Sequence, residues 1–261
     1  MPPPPIAPET PATLAVRPIA TPTHGQGGTF TVTCSAHIAA APHTCLEIVL
    51  KAAEDPVWNR FCRKCSIDAQ PEQSKKADAG TAAARPFQPD RGPEYLKLGT
   101  KFTFDVHMKP DAAAEHSSGR ATALEVSRLE RIDEMMDEGS ASGIPDCNID
   151  SGTGSGVRTT ATTPPGRRIG WRVAWKTRSG AVLPAWMLRS ERVQEFVEVV
   201  SVNTAPGRSE TAYTCWETFY GVLAPLVRSV VGSQLVNGFG VWMENLKRRA
   251  EDLSDREEGA L

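Results

Sequence analysis

Glu210-Thr-Ala-Tyr-Thr-Cys-Trp-Glu-Thr-Phe-Tyr220 reads as a strand, and Gly221 ends it. Beyond the glycine, Leu223, Leu226, Val227, Val230, Val231, Leu235, Val236, Phe239, Trp242, Met243 and Leu246 recur at steps of three and four. This spacing predicts one long helix, with an apolar stripe wide enough for a sheet to grip over most of its length. Lys247, Arg248 and Arg249 then place cations where the helix dipole is negative. A sheet wrapped around one long terminal helix often encloses a cavity, so fold and function are expected from the same segment.

Upstream, Phe30, Val32, Cys34, Ala36 and Ile38 alternate with Thr31, Thr33, Ser35 and His37, the pattern of a half-buried strand. Pro42 can open a helix whose apolar face is Leu46, Val49 and Leu50, and Val57–Phe61 follows Pro56 as a second short helix or turn. Strand signals resume at Thr100–Met108, Ala121–Ile132, Ile169–Trp175, Met187–Val202 and Thr211–Tyr220. Loops rather than helices join these strands, so the sheet is expected to be antiparallel. The expected organisation is a single domain over 29–252, with flexible insertions at about 70–93 and 133–168. Residues 1–28, rich in Pro, Ala and Thr, read as a disordered tail, and 253–261 as a disordered acidic one.

The chain has 261 residues and a formal net charge of -2, without the concentrated basic face of a nucleic-acid protein. No apolar run approaches the length of a membrane span. The start, Met1-Pro-Pro-Pro-Pro-Ile6, has neither a basic n-region nor an apolar h-region. A soluble cytoplasmic protein is the expectation. The cysteines (Cys34, Cys45, Cys62, Cys65, Cys147 and Cys215) read as small buried apolar residues in a reducing compartment. Cys62-Arg-Lys-Cys65 has zinc-pair spacing, but no second pair completes a site, so neither metal nor cofactor is expected.

The order of these elements, with particular residues at their joints, resembles the START-related, polyketide-cyclase-like superfamily known as SRPBCC, in its filamentous-fungal branch. The likeness rests on Ala41-Pro42 after the first strand, Pro56-Val57-Trp58-Asn59, Leu96-x-Leu98-Gly99, and Trp216-Glu217-Thr218-Phe219-Tyr220-Gly221 before the last helix. Phe239, Met243, Leu246-Lys247 and Glu251 fit the family's usual ending. The resemblance covers about 29–69, 94–132 and 169–252. It implies an α+β helix-grip fold: a curved antiparallel sheet of about seven strands on a long C-terminal helix, with two short helices after the first strand. It also implies a hydrophobic ligand pocket between sheet and helix. Members include lipid and sterol carriers, quinone-binding proteins, hormone receptors and polyketide cyclases, so fold alone selects no function. The family has no shared catalytic set, and no catalytic residue carries over.

Such a pocket needs a few polar groups to orient its ligand, and strand parity decides which point inward. Val193, Glu195, Val197 and Val199 are more uniformly apolar than Gln194, Phe196, Glu198 and Val200. The first set is therefore expected to face the pocket, with Glu195 in or at its edge. In the last strand both parities carry aromatics, which leaves the register open. Glu195 or Glu217, buried beside aromatics, would have a raised pKa suited to general acid–base work. The structural alternative pairs each with Arg192 or Arg189 at the sheet surface. His37 and His107 fall on polar phases and read as solvated. The expected ligand-binding residues are Trp171, Val197, Tyr213, Trp216, Leu235, Phe239 and Trp242.

Three functions fit this reading. The first is a carrier or accessory protein that binds a lipid, quinone or polyketide-like molecule. The second is a cyclase/dehydratase-type enzyme moving protons with pocket residues. The third is an interaction module with a vestigial pocket. A carboxylate buried against the helix favours the second, and a filled core the third.

Overall fold

The computed structural model describes residues 3–71, 92–110, 119–135, 167–179, 184–200 and 209–258. The expected insertions at about 70–93 and 133–168 lie mostly outside these residues. Along the chain come β1 (Thr13–Leu14), β2 (Phe30–Ile38), α1 (Pro42–Leu50), a 3-10 turn (Ala52–Glu54), α2 (Asp55–Trp58) and β3 (Cys62–Ala69). They are followed by β4 (Lys101–Val106), β5 (Arg120–Met135), β6 (Arg167–Thr177), β7 (Arg189–Val200), β8 (Ser209–Tyr220) and α3 (Ala224–Glu258).

Among the described residues the strands form one curved antiparallel sheet in the order β1-β2-β8-β7-β6-β5-β4-β3. The first long strand pairs with the last, Cys34 opposite Cys215, and later hairpins extend the sheet to β3. With α3 along one face and α1 and α2 after β2, this is a helix-grip fold. Eight strands stand against the seven or so expected, and two of them, the two-residue β1 and β3, are not among the segments read as strands.

The core lies between sheet and α3. Phe30, Val32, Cys34 and Ile38 of β2 face it, as the alternation predicts, together with Phe102, Phe104, Val173 and Trp175. Phe239, Trp242 and Leu246 answer from α3. Gly221 starts the turn into α3 at φ +99, where a side chain would also crowd the Met187 and Trp186 carbonyls. Gly238 lets α3 lie close on Phe61, whose ring a Cβ would meet.

Two boundaries are corrected. Over residues 3–28 the expected disordered tail is a strap across the other face of the sheet. Leu14 pairs with Val32, and Ile19 packs with Ala174, Val193 and Trp216. The strap makes few backbone pairs of its own, so sheet side chains satisfy it. Thr31 Oγ1 accepts from the Ile19 amide at 2.9 Å, Trp216 Nε1 donates to the Ala20 carbonyl at 3.1 Å, and Thr218 Oγ1 donates to the Ile19 carbonyl at 2.6 Å. At the other end, α3 runs through the expected acidic tail as far as Glu258, with Leu253 packed on the core. Lys247 donates to the His37 carbonyl and Arg249 to Glu54, so these cations dock the helix instead of ending it. No helix among the described residues is long and apolar enough to cross a membrane.

Candidate functional site

Pairing registers settle the parity of β8, which the sequence leaves open, and reverse the one expected for β7. In β7 the residues facing α3 are Ser190, Arg192, Gln194 and Phe196; in β8 they are Tyr213, Cys215, Glu217 and Phe219. Directly opposite one another stand Arg192 and Glu217, Gln194 and Cys215, and Phe196 and Tyr213. A polar patch thus sits at the centre of an otherwise apolar core.

Arg192 is its centre. The guanidinium is buried, with its carbon 4.1 Å from the Phe239 ring centroid and 4.3 Å from that of Trp242. Nε donates to Cys215 Sγ at 3.3 Å, and Nη2 has no hydrogen-bond partner among the described residues. Burial opposes the charge, but Cys215, Tyr213 and Glu217 around it push the Arg192 pKa up. Burial also raises the Cys215 thiol, yet the Cys34 contact and Arg192 bring it down to about 7. Tyr213 Oη donates to Gln194 Oε1 at 2.7 Å and Trp242 Nε1 donates to the same oxygen at 3.1 Å, tying α3 to the sheet.

Glu217 is the acid–base candidate. Burial pushes its pKa up, against Arg192 and a hydrogen bond from Ser190 Oγ at 2.7 Å. The residue as a whole keeps some accessible surface. Toward the second half of α3, Trp58, Phe104, Trp175 and Trp242 close the space with edge-to-face contacts of 5.1 to 6.1 Å. Toward its first half, Val227, Val231 and Leu235 on the helix and Leu188 on the sheet remain only partly buried.

Of the residues expected to bind ligand, Trp171, Tyr213, Leu235, Phe239 and Trp242 share the helix-facing side. Trp216 and Val197 do not. Trp216 lies under the strap on the opposite face, and Val197 shares that parity. Glu195 is also there, taking Arg172 Nε at 2.7 Å and Arg168 Nη2 at 2.8 Å. The structural alternative is thus the observed one for Glu195, with different arginines from those expected. The uniformly apolar parity of β7 faces outward because the strap supplies a second apolar layer there, including Ile19 on Val193. His107 is buried rather than solvated, with Nε2 at 3.0 Å from Asp105 Oδ2. Arg192, Gln194, Ser190 and Cys215 were missed as site residues; the signal for them was pairing register, which one strand alone does not carry.

Cys62 and Cys65 lie on β3, where burial pushes both thiols up.

No family model matches the chain. It is 28% identical over 180 residues to oxopyrrolidines biosynthesis cluster protein O of Penicillium oxalicum, a match covering 68% of this chain and 64% of that protein. The chain therefore spans less than two thirds of that relative's length. Among solved structures, a START superfamily protein from Mycobacterium smegmatis aligns with TM-score 0.42 at 14% identity, over 85% of this chain and 98% of that one. A hypothetical protein of Helicobacter pylori gives 0.44 at 12% identity, over 88% and 90% of the two chains. A Thermus thermophilus protein gives 0.43 at 10%, over 86% and 99%.

Proposed function

We propose that this protein binds a hydrophobic small molecule, such as a lipid, quinone or polyketide-like compound, beneath the first half of α3. It acts as a carrier or accessory protein in the cytoplasm, with no nucleic-acid partner. The observation that supports the proposal is Glu217: a carboxyl that retains accessible surface on the helix-facing side of the sheet, the side on which partly buried Val227 and Leu235 of α3 pack against the core. The apolar side chains would hold the body of the ligand, and Ser190, Glu217 and Arg192 would orient its polar end.

The raised pKa of Glu217 specifically favours the second reading, a cyclase/dehydratase-type enzyme. A carboxyl poised nearer neutrality can take a proton from a carbon acid or deliver one to a departing hydroxyl. The cation at Arg192 would steady the enolate left behind. The name of the Penicillium oxalicum relative, a biosynthesis cluster protein, supports a place in secondary metabolism for either reading.

Native mass spectrometry of protein from its own host tests the binding. A co-purifying apolar ligand, together with saturable uptake of an anilinonaphthalene sulfonate dye, is the expected result. Absence of both counts against a hollow. Glu217→Gln then separates the two readings: a carrier keeps its ligand affinity and function, whereas an enzyme keeps affinity and loses turnover.

A further inference from the structure

The strap-covered face of the sheet carries a pocket with a volume of about 360 Å³. Its floor is a cross-strand row, Lys101 opposite Glu125 and Glu125 opposite Lys176. The strap turn between Thr21 and Gly25 forms one wall and brings in Thr23 and His24. The end of β6 and the start of β7 form the other, with Thr177, Arg178 and Arg189.

The lining places four cations, Lys101, Lys176, Arg178 and Arg189, against one carboxylate, Glu125. Neutralisation is partial. Lys176 reaches Glu125 at 3.7 Å, and Arg178 pairs with Asp68 at the rim. Arg189 instead donates to the Ala185 carbonyl at 3.0 Å and lies 5.3 Å over the Tyr220 ring. One nitrogen of the lining, Arg178 Nε, is a donor buried with no hydrogen-bond partner among the described residues. A buried donor without an acceptor is a standing cost that a bound oxygen ligand removes. The wall is also held in place: Glu191 accepts from the Thr23 amide at 2.8 Å and from Thr23 Oγ1 at 2.7 Å.

We propose that this pocket binds a small soluble anion bearing a phosphate or carboxylate group, held by Arg178 and Arg189 with Lys101 and Lys176 beneath. Guanidinium groups suit such oxyanions because they offer paired, charge-assisted hydrogen bonds. The site lies across the sheet from Glu217, so it is independent of the ligand proposed there. An anion here would tie the strap to the β6–β7 end and so couple metabolite level to the order of the N-terminal segment.

Isothermal titration calorimetry of the full chain with inorganic phosphate, and separately with citrate, tests the proposal against chloride at matched ionic strength. Saturable one-to-one binding of either anion is expected, and which one binds tells phosphate from carboxylate chemistry. Arg178→Gln should weaken it at least tenfold, and Glu217→Gln should leave it unchanged. Because Arg178→Gln also removes the Asp68 pair, Lys101→Gln with Lys176→Gln serves as a second variant, with folding checked by circular dichroism. The idea is overturned by no saturable heat with either anion, or by binding that neither variant weakens. Attachment to phosphatidylserine vesicles without binding of either free anion overturns it as well.

Discussion

Arg192 and Glu217 stand directly opposite each other across β7 and β8, yet the guanidinium donates to Cys215 and stacks between Phe239 and Trp242. The carboxyl keeps Ser190 as its hydrogen-bond donor. A buried cation and a buried acid thus share a face without neutralising one another by direct contact. Such an arrangement is costly in an apolar core, and groups of this kind concentrate at functional sites.

The first consequence concerns pH. Glu217 is held above the ordinary glutamate range in the fold, so the unfolded chain gives up this proton first. Its contribution to stability is fully present below the ordinary value and is lost as pH rises through the folded one. Urea midpoints measured from pH 4 to 8 should show this loss in the wild type and a flatter profile in Glu217→Gln. Identical profiles would remove the acid–base case for this residue.

Glu191, directly opposite Lys176 at the end of the pocket row, has the opposite sign. Burial would raise its pKa, but hydrogen bonds from Ser127 and Thr23 outweigh burial and hold it down. That stabilisation is present above the ordinary glutamate value and disappears as pH falls through the lowered one. Glu191→Gln should therefore cost about 1–3 kcal/mol at pH 7, the scale of disturbing a buried hydrogen-bond set. The gap from wild type should close in acid. A gap that stays constant with pH would mean that packing, not charge, carries the effect.

The strap makes a third test. Ile19 is 8% exposed and packs on Ala174, Val193 and Trp216. Ile19→Ala should destabilise by about 2–4 kcal/mol, as for other large-to-small core changes. A disordered tail would tolerate it at no cost. Chemical denaturation of the full chain, read by tryptophan fluorescence, decides between the two.

Much of the fold was legible because one physical signal dominated each element. The stripe from Leu223 to Leu246 marks the long helix, although its Leu226 and Val230 are exposed, and β2 alternates cleanly from Phe30 to Ile38. Parity in β8 was not legible, for a reason visible in Trp216 and Tyr213, and in β7 it was read the wrong way round. Both sides of these strands are covered, one by α3 and the other by the strap, so β8 carries aromatics on both and the more apolar side of β7 faces the strap. The strap itself escaped notice because its Pro- and Thr-rich composition is that of a disordered segment; its order comes from sheet side chains such as Trp216 and Thr218. Arg192 was missed for a related reason. A cation is assigned to solvent by default, and only its stacking on Phe239 and Trp242 from a distant helix makes burial tolerable.

The hollow itself is tested by filling it. Val227 and Leu235 lie two helical turns apart on α3, and both pack against the core while only partly buried. Val227→Trp adds a large ring at that end of the sheet–helix space without opening the aromatic wall around Trp242. In a hollow with room for a ligand the change should cost less than about 1–3 kcal/mol, the penalty for inserting bulk into a packed core. Dye or ligand affinity should nevertheless fall at least tenfold. A larger stability loss would show that the space is already full, which favours the interaction-module reading. Retained stability with unchanged binding would place the ligand elsewhere on the protein.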